Sequence, residues 1–269
     1  MAKRLAYLGP PGTYSEQAAV GHDGEAEYVS CSTIPAVVEA VSKGLADEAV
    51  VPIENSLEGA VTFTLDLLIH HSDLKIKGEL VVPIDCNLLV DGDTRMQDIK
   101  AVYSHPQPFG QCRVYLMKNL PEAEHVASFS TAGAVEDMRN SPVPAAAISG
   151  RRAAEIFGAR ILDPNIQDVP NNQTRFVVLA EQDHPRTGRD KTSFCFDFQS
   201  VAAGGQTLGI VTKSGDEHIS KIRTLDVDRW LHVLIWTGDS HFEISISFIF
   251  GHQYHHTLGD YKLFCLLSP

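Results

Sequence analysis

A hydroxyl and a permanent cation stand side by side at Thr174 and Arg175, inside the stretch Asn171-Asn172-Gln173-Thr174-Arg175-Phe176. A guanidinium fork matches a carboxylate, and a hydroxyl can donate a hydrogen bond or a proton. A turn, Asp168-Val169-Pro170-Asn171, precedes the pair, and an apolar run, Phe176-Val177-Val178-Leu179-Ala180, follows it. The pair is therefore expected at the start of a strand, held firmly while facing a crevice. Three other polar clusters follow or adjoin expected strand ends: Glu54-Asn55-Ser56, Ser104-His105-Pro106-Gln107 and Gly9-Pro10-Pro11-Gly12-Thr13. Singly each reads as ordinary: Asn55-Ser56 as a turn, His105 as a surface loop histidine, Arg175 as a salt-bridge residue. Together they favour one site that takes a small organic acid, because loops after strand ends converge on one crevice.

Two expected helix starts could add anion-binding amides. Thr13 can cap a helix with Glu16 as its capping-box partner, and Ser130-Thr131 can cap another. Free amides at a helix start hold carboxylates or phosphates, although a plain cap is the simpler reading of each. The first turn lacks the Gly-x-x-x-x-Gly-Lys-Ser/Thr pattern, so no nucleotide site is expected.

The elements that must position these residues alternate. Strands are expected at residues 5–8, 27–30, 48–53, 79–90, 101–103, 125–128, 144–149, 160–162 and 176–180. Helices are expected after Thr13, after Thr33 to near Gly44, over 62–70, around Gln111 to Leu116, from Ser130-Thr131 through Met138, and over 153–157 ending at Gly158. Such alternation implies a mostly parallel sheet covered by helices. A second lobe is expected from about residue 79, with the chain crossing back at 163–174, so a cleft is expected between two lobes.

Composition narrows the function. The chain has 269 residues, enough for two units, and a net charge of -12 argues against a nucleic-acid partner. An anion site must then rely on local cations and amides rather than the global field. No window approaches the ~20 apolar residues of a membrane span, and residues 1–9 are too short in apolar character for a signal-peptide core. The five cysteines are scattered without a C-x-x-C pair, which suits reduced thiols in a cytoplasmic protein.

Tyr7-Leu8-Gly9-Pro10-Pro11-Gly12-Thr13-Tyr14-Ser15, Val51-Pro52-Ile53-Glu54-Asn55-Ser56, Tyr103-Ser104-His105-Pro106-Gln107 with Gln111-Cys112, and Asn171 to Phe176 stand in a familiar order and spacing. Over about residues 4 to 180 the chain resembles the prephenate dehydratase family. One departure is Pro11, where the family usually has an acidic residue. The resemblance implies an α/β fold: a two-lobed catalytic domain like the type II periplasmic binding proteins, followed by a small α+β ACT-like domain. It implies conversion of prephenate to phenylpyruvate, water and carbon dioxide, with no metal and no organic cofactor. Thr174, Arg175, Glu54 and His105 would be catalytic, and Asn55, Ser56, Ser104, Gln111, Thr13 and Phe176 would bind substrate. By the resemblance Thr174 donates to the leaving hydroxyl, polarised by Arg175. Elementary chemistry makes His105, with an ordinary pKa near ~6.5, a more natural donor, and both assignments stay open. A non-catalytic aromatic-acid sensor and dehydration of arogenate are the alternative readings.

The resemblance divides the chain into a catalytic domain over residues 1–182, a linker over 183–191 and an ACT-like domain over 192–269. The lobes would be 1–78 with 165–182, and 79–164. The family's ACT domain binds L-phenylalanine as an allosteric inhibitor, and the implied protein is a cytoplasmic homodimer or homotetramer. Thr192 to Phe198 resembles the first ACT strand and His218 to Ile222 a later segment. Where the family has Glu-Ser-Arg-Pro, this chain has Arg223-Thr224-Leu225-Asp226, and the turn expected to carry Gly-Ala-Leu reads Gly204-Gly205-Gln206-Thr207-Leu208. His252, His255 and His256 could ligate a metal, but no cysteine or carboxylate stands at ligand spacing, so a polar loop is the simpler expectation.

Overall fold

Period-two apolar runs and capped amphipathic stretches alternate along the first 180 residues, and the computed structural model turns them into two sheets. It describes residues 2–185 in full and, beyond them, the backbone of six strands. The chain opens with β1 (Arg4–Leu8), α1 (Tyr14–His22), β2 (Glu27–Cys31), α2 (Ile34–Ser42), β3 (Glu48–Asn55), the short β4 (Gly59–Ala60), α3 (Thr62–Asp66, continued by a π turn, Leu67–His71) and β5 (Lys75–Pro83). It then builds β6 (Asn87–Val90), β7 (Ala101–Ser104), α4 (Pro106–Gln111), α5 (Arg113–Asn119), β8 (Glu124–Ala127), α6 (Gly133–Arg139), β9 (Ala145–Ser149), α7 (Arg151–Phe157) and β10 (Arg160–Asp163) before returning as β11 (Gln173–Ala180).

The caps form where the side chains allow. Thr33 Oγ1 accepts the Ala36 amide at 3.2 Å to start α2, and Ser130 Oγ accepts the Gly133 amide at 2.9 Å at the head of α6. Gly158 ends α7 in the left-handed region, φ 64°, which glycine enters without a Cβ clash.

Two sheets make two lobes of an α/β domain. The first runs β2-β1-β3-β11-β5, with β4 beside β3; the second runs β10-β6-β9-β7-β8. The expectation of a mostly parallel sheet needs correction. β1 pairs in parallel with β2 and β3, but β11 lies antiparallel between β3 and β5. In the second sheet β7 is parallel to β8 and β9, while β6 is antiparallel to β9 and β10. The cause is the double crossing: a strand that leaves one lobe and later returns enters from the opposite end.

The long strand expected over 79–90 is two strands in different sheets. Pro83 carries no N–H and the ladder stops there. Ile84 N–H donates to the Asn172 carbonyl at 2.9 Å, Cys86 N–H to Gln167 Oε1 at 3.0 Å, and Ile166 N–H to the Cys86 carbonyl at 2.8 Å. The outgoing and returning segments therefore run bonded side by side. Lys75–Pro83 belongs to the first sheet, so the lobe division falls near residue 84 rather than 79.

Each sheet buries apolar side chains against its helices. In the first lobe Leu5, Tyr7, Val50, Phe176 and Val178 pack with Ala18 and Ala19 of α1. The second sheet has a core on both faces: Leu88, Val102 and Ile148 pack with Cys112 and Leu116, and Leu89, Ala101 and Ala147 pack with Val135 and Ala153. This explains why its strands read as continuous apolar runs rather than alternating ones.

The chain divides into two units, Met1–His184 and Pro185–Pro269. Of the second, the described strands are β12 (Thr192–Asp197), β13 (Ile210–Val211), β14 (Ile219–Val227), β15 (Trp230–Thr237), β16 (Ser240–Ile246) and β17 (Lys262–Leu267). β12 pairs antiparallel with β13 and β17, and β14, β15 and β16 form a separate antiparallel meander. The turn 204–208 and His252, His255 and His256 lie outside the described residues. No helix among the described residues is long and apolar enough to cross a membrane.

Candidate active site

The antiparallel pairing of β11 with β3 sets Thr174 directly opposite Asn55 and Arg175 opposite Glu54. Asn55 occupies the last position of β3, where the strand gives way to a turn, and its amide satisfies both sides of that change. Its Oδ1 accepts the Leu57 and Glu58 N–H groups at 2.9 and 3.1 Å. Its Nδ2 faces Asn172 Oδ1 at 2.8 Å, Thr174 Oγ1 at 2.9 Å and the Gln173 carbonyl at 3.2 Å. Asn55, Asn172 and Thr174 are all buried, so these bonds form in a low-dielectric setting where an unmade one is costly. Ser56 closes the ladder: its N–H donates to the Gln173 carbonyl, its Oγ accepts the Gln173 N–H at 3.0 Å, and it reaches Asn172 Oδ1 at 3.4 Å.

Thr174 and Arg175 do not act on one another. Successive strand residues point to opposite faces. Thr174 shares a face with Phe176 and Val178, and the hydroxyl's partner is the Asn55 amide. Arg175 lies on the other face. Its Nη2 donates to Glu54 Oε2 at 2.6 Å, its Nη1 lies 3.9 Å from Glu79 Oε2, and its Nε is buried without a partner. The guanidinium is thus held between two carboxylates.

The other expected site residues divide into those the structure brings together and those it does not. Gln111, on α4 of the second lobe, reaches the first: its Oε1 accepts Asn172 Nδ2 at 3.2 Å and its Nε2 donates to Glu58 Oε1 at 3.3 Å. His105 caps α4, with Nδ1 accepting the Gln107 amide at 3.3 Å, and has no hydrogen bond to Thr174. Ser104 is fully buried and donates to the Ile148 carbonyl at 3.0 Å, so its hydroxyl is committed within the sheet. Thr13 is committed to the cap: Oγ1 donates to the Leu8 carbonyl at 3.0 Å and accepts the Glu16 amide at 3.3 Å. Phe176 is 2% exposed and belongs to the core of the first lobe rather than to a ligand surface.

Where the lobes meet, the first turn is tightly packed. Gly12 has φ +89°, and a Cβ there would lie 3.2 Å from both Ala132 Cβ and Ala153 Cα. Its N–H donates to Glu16 Oε2 at 2.6 Å, so the acidic partner reaches one residue further back than a capping box requires. Arg152 of α7 approaches the same carboxylate at 3.4 Å, and Tyr14 donates to the Asp85 carbonyl at 2.9 Å. Burial pushes the Tyr14 phenol well above its ordinary range. Cys86 Sγ lies 3.9 Å from Gln111 Oε1, and its interaction with the Cys112 thiol favours ionisation of Cys86 and opposes that of Cys112. Asn172, Glu58 and the Glu16–Arg152 pair were not among the expected site residues. The proximity of Asn172 to Thr174 and the capping-box position of Glu16 were the signals that sequence held for them.

The prephenate dehydratase family model matches residues 5–184. The chain belongs to this family. It is 43% identical over 198 residues to the bifunctional chorismate mutase/prephenate dehydratase of Aquifex aeolicus (strain VF5), covering 72% of this chain and 53% of that protein. It is 40% identical over 192 residues to the prephenate dehydratase of Lactococcus lactis subsp. cremoris (strain MG1363), covering 71% and 65%. The crystal structure of prephenate dehydratase in complex with L-Phe from Arthrobacter aurescens superposes with a TM-score of 0.66 at 34% identity, covering 72% of this chain and 66% of that one. The chain thus spans between about half and two thirds of the length of these family members.

Proposed function

We propose that this chain converts prephenate to phenylpyruvate, water and carbon dioxide, with Thr174 as the group that assists departure of the ring hydroxyl. The observation that carries the reading is the Asn55 Nδ2 to Thr174 Oγ1 hydrogen bond of 2.9 Å. An oxygen that receives a hydrogen bond gives up its own proton more readily, and that proton is left to point away from Asn55. The threonine hydroxyl, a weak acid alone, thereby becomes an oriented donor.

The electron flow suits such a donor. The bond from the ring to the leaving carboxylate breaks, its pair enters the ring, and the carbon–oxygen bond at the opposite position breaks. The departing hydroxide takes a proton through the Thr174 hydrogen bond and leaves as water, and solvent restores the proton. Aromatisation and loss of carbon dioxide drive the step, so orientation and one donor suffice. Prephenate is a dianion. In this reading Arg175 supplies local positive potential for it from the other face of β11, while Glu54, Ser56, Gln111 and His105 orient the substrate at the lobe junction.

The reading assigns residues 192–269 to an ACT-like regulatory domain with L-phenylalanine as its effector, supported by the Arthrobacter relative's complex with L-Phe. It places the protein in the cytoplasm as a homodimer or homotetramer. The deciding experiment mixes the purified chain with prephenate and follows phenylpyruvate by its absorbance in alkali. Formation of phenylpyruvate by the wild type and its loss in Thr174→Ala support the reading. Absence of turnover, or full turnover by Thr174→Ala, sinks it.

A further inference from the structure

Asn172 is 3% exposed and joins both lobes through its two amide ends. Nδ2 donates to Gln111 Oε1 at 3.2 Å, and Oδ1 accepts from Asn55 Nδ2 at 2.8 Å. The full chain of bonds runs from Glu58 through Gln111, Asn172 and Asn55 to Thr174. An amide has a donor end and an acceptor end, so a row of amides has a direction, and that direction can be deduced.

Two anchors determine it independently. At one end the Glu58 carboxylate only accepts, so Gln111 must turn Nε2 toward it at 3.3 Å and present Oε1 to Asn172. At the other end the Leu57 and Glu58 backbone N–H groups only donate, so Asn55 must turn Oδ1 toward them and present Nδ2 to Asn172 and Thr174. Both assignments demand the same thing of Asn172: a donor toward Gln111 and an acceptor toward Asn55. The amide of Asn172 satisfies both.

We propose that Asn172 is a positioning residue: its amide takes one Nδ2 hydrogen of Asn55, whose direction the Leu57 and Glu58 amides already fix, leaves the other for Thr174, and ties the pair to Gln111 of the second lobe, so that the threonine proton is kept for a substrate held where the lobes meet. This rests on the reading of Thr174 as the assisting donor. Because Gln111 belongs to the second lobe and the other members to the first, the tie is complete only when the lobes meet as they do here.

The logic of direction supplies its own test. Asn172→Asp keeps an acceptor toward Asn55 but sets a second acceptor against Gln111 Oε1. At a pH where the new carboxyl is ionised, Gln111 answers by turning its amide over, which points Oε1 at the Glu58 carboxylate. Glu58→Gln then supplies the missing donor, and the segment from 58 to 172 runs in reverse. Asn172→Asp is expected to lower kcat about 100-fold, the scale of a misplaced reacting group. Glu58→Gln alone costs less, and added to Asn172→Asp it restores kcat to within about tenfold of wild type, a coupling that independent sites do not show. Asn172→Ala, which adds no charge, lowers kcat while KM stays within about threefold, since the residue does not touch substrate.

A double variant no faster than Asn172→Asp, or a KM that rises as much as kcat falls in Asn172→Ala, overturns the proposal. Melting temperatures of all variants separate the outcomes. A wild-type chain that forms no phenylpyruvate removes the reading of activity by itself. The hydrogen-bond chain is then decided by Tm: recovery by Glu58→Gln of stability lost to Asn172→Asp upholds it, and no recovery overturns it.

Discussion

Asn55→Asp changes almost no volume and reverses the chemistry at one point. The two hydrogens on Nδ2 are replaced by lone pairs facing Asn172 Oδ1 at 2.8 Å, Thr174 Oγ1 at 2.9 Å and the Gln173 carbonyl at 3.2 Å. Of these three oxygens only the threonine hydroxyl can respond, by rotating its proton toward the new carboxylate. A hydrogen bond to a charged acceptor contributes about 1.5–3 kcal/mol, and the substrate must break it to reach that proton. At about 1.4 kcal/mol per tenfold in rate, the loss in kcat is about 10- to 150-fold. Losing the Nδ2 donation lowers it further, so at least about 100-fold is expected at neutral pH. The pH dependence carries the sign. A buried carboxyl facing oxygen acceptors prefers its protonated form, so its folded pKa lies above the unfolded one. Below the unfolded value both states are protonated and no penalty remains. The penalty grows as pH rises between the two values and is complete above the folded pKa. Both kcat and Tm of the variant should therefore recover toward wild type as pH falls. The assay is phenylpyruvate formation across a pH series with thermal melts alongside. A loss under about threefold, or one that does not change with pH, refutes the role given to the Asn55 amide.

Thr174→Ala is expected to reduce kcat more than His105→Ala, because His105 caps α4 and makes no hydrogen bond to the threonine; steady-state kinetics giving the reverse order would move the donor to the histidine. Gly12→Ala sets a Cβ 3.2 Å from Ala132 and Ala153 at a φ of +89°, so a loss of about 1–3 kcal/mol of stability is expected, read as a lower denaturant midpoint at unchanged slope. Glu48 is buried beside Lys77, His22 and Lys3. Burial works to raise its carboxyl, and bonds from Lys77 and His22 with the charge of Lys3 outweigh it, leaving the pKa below the ordinary value. Glu48→Gln should then cost about 1–3 kcal/mol near neutrality, a difference present above the ordinary carboxylate range and lost as pH falls through the depressed folded pKa. Equal melting temperatures for the two proteins at neutral pH would reject it.

Much of the first unit was legible in residue order. Alternation of apolar runs with capped stretches located the strands and helices, and Thr13, Thr33 and Gly158 marked helix ends because the physics of a cap is local. The motifs around Thr174, Asn55 and Gln111 identified the family. Other features were misread for identifiable reasons. Thr174 and Arg175 looked like one functional pair because they are adjacent, although neighbours on a strand face opposite ways. Phe176 looked like a ligand contact because it adjoins them, and the same alternation sends it into the core with Tyr7 and Val50. Ser104 and Thr13 carry hydroxyls that a sequence presents as available, and backbone groups distant or local had already taken them.

Residue order alone located most strands and helices and the family the chain joins, since both depend on patterns readable within a short stretch or a motif. The tertiary structure alone decided which side chains meet. Asn55 and Thr174 lie 119 positions apart and touch because the chain leaves the first sheet after Pro83 and returns antiparallel beside β3. Gln111 reaches Asn172 across 61 positions because the two crossing segments hold the lobes together. Such contacts depend on the direction in which a strand re-enters a sheet and on the face each residue then takes, and no local pattern encodes either.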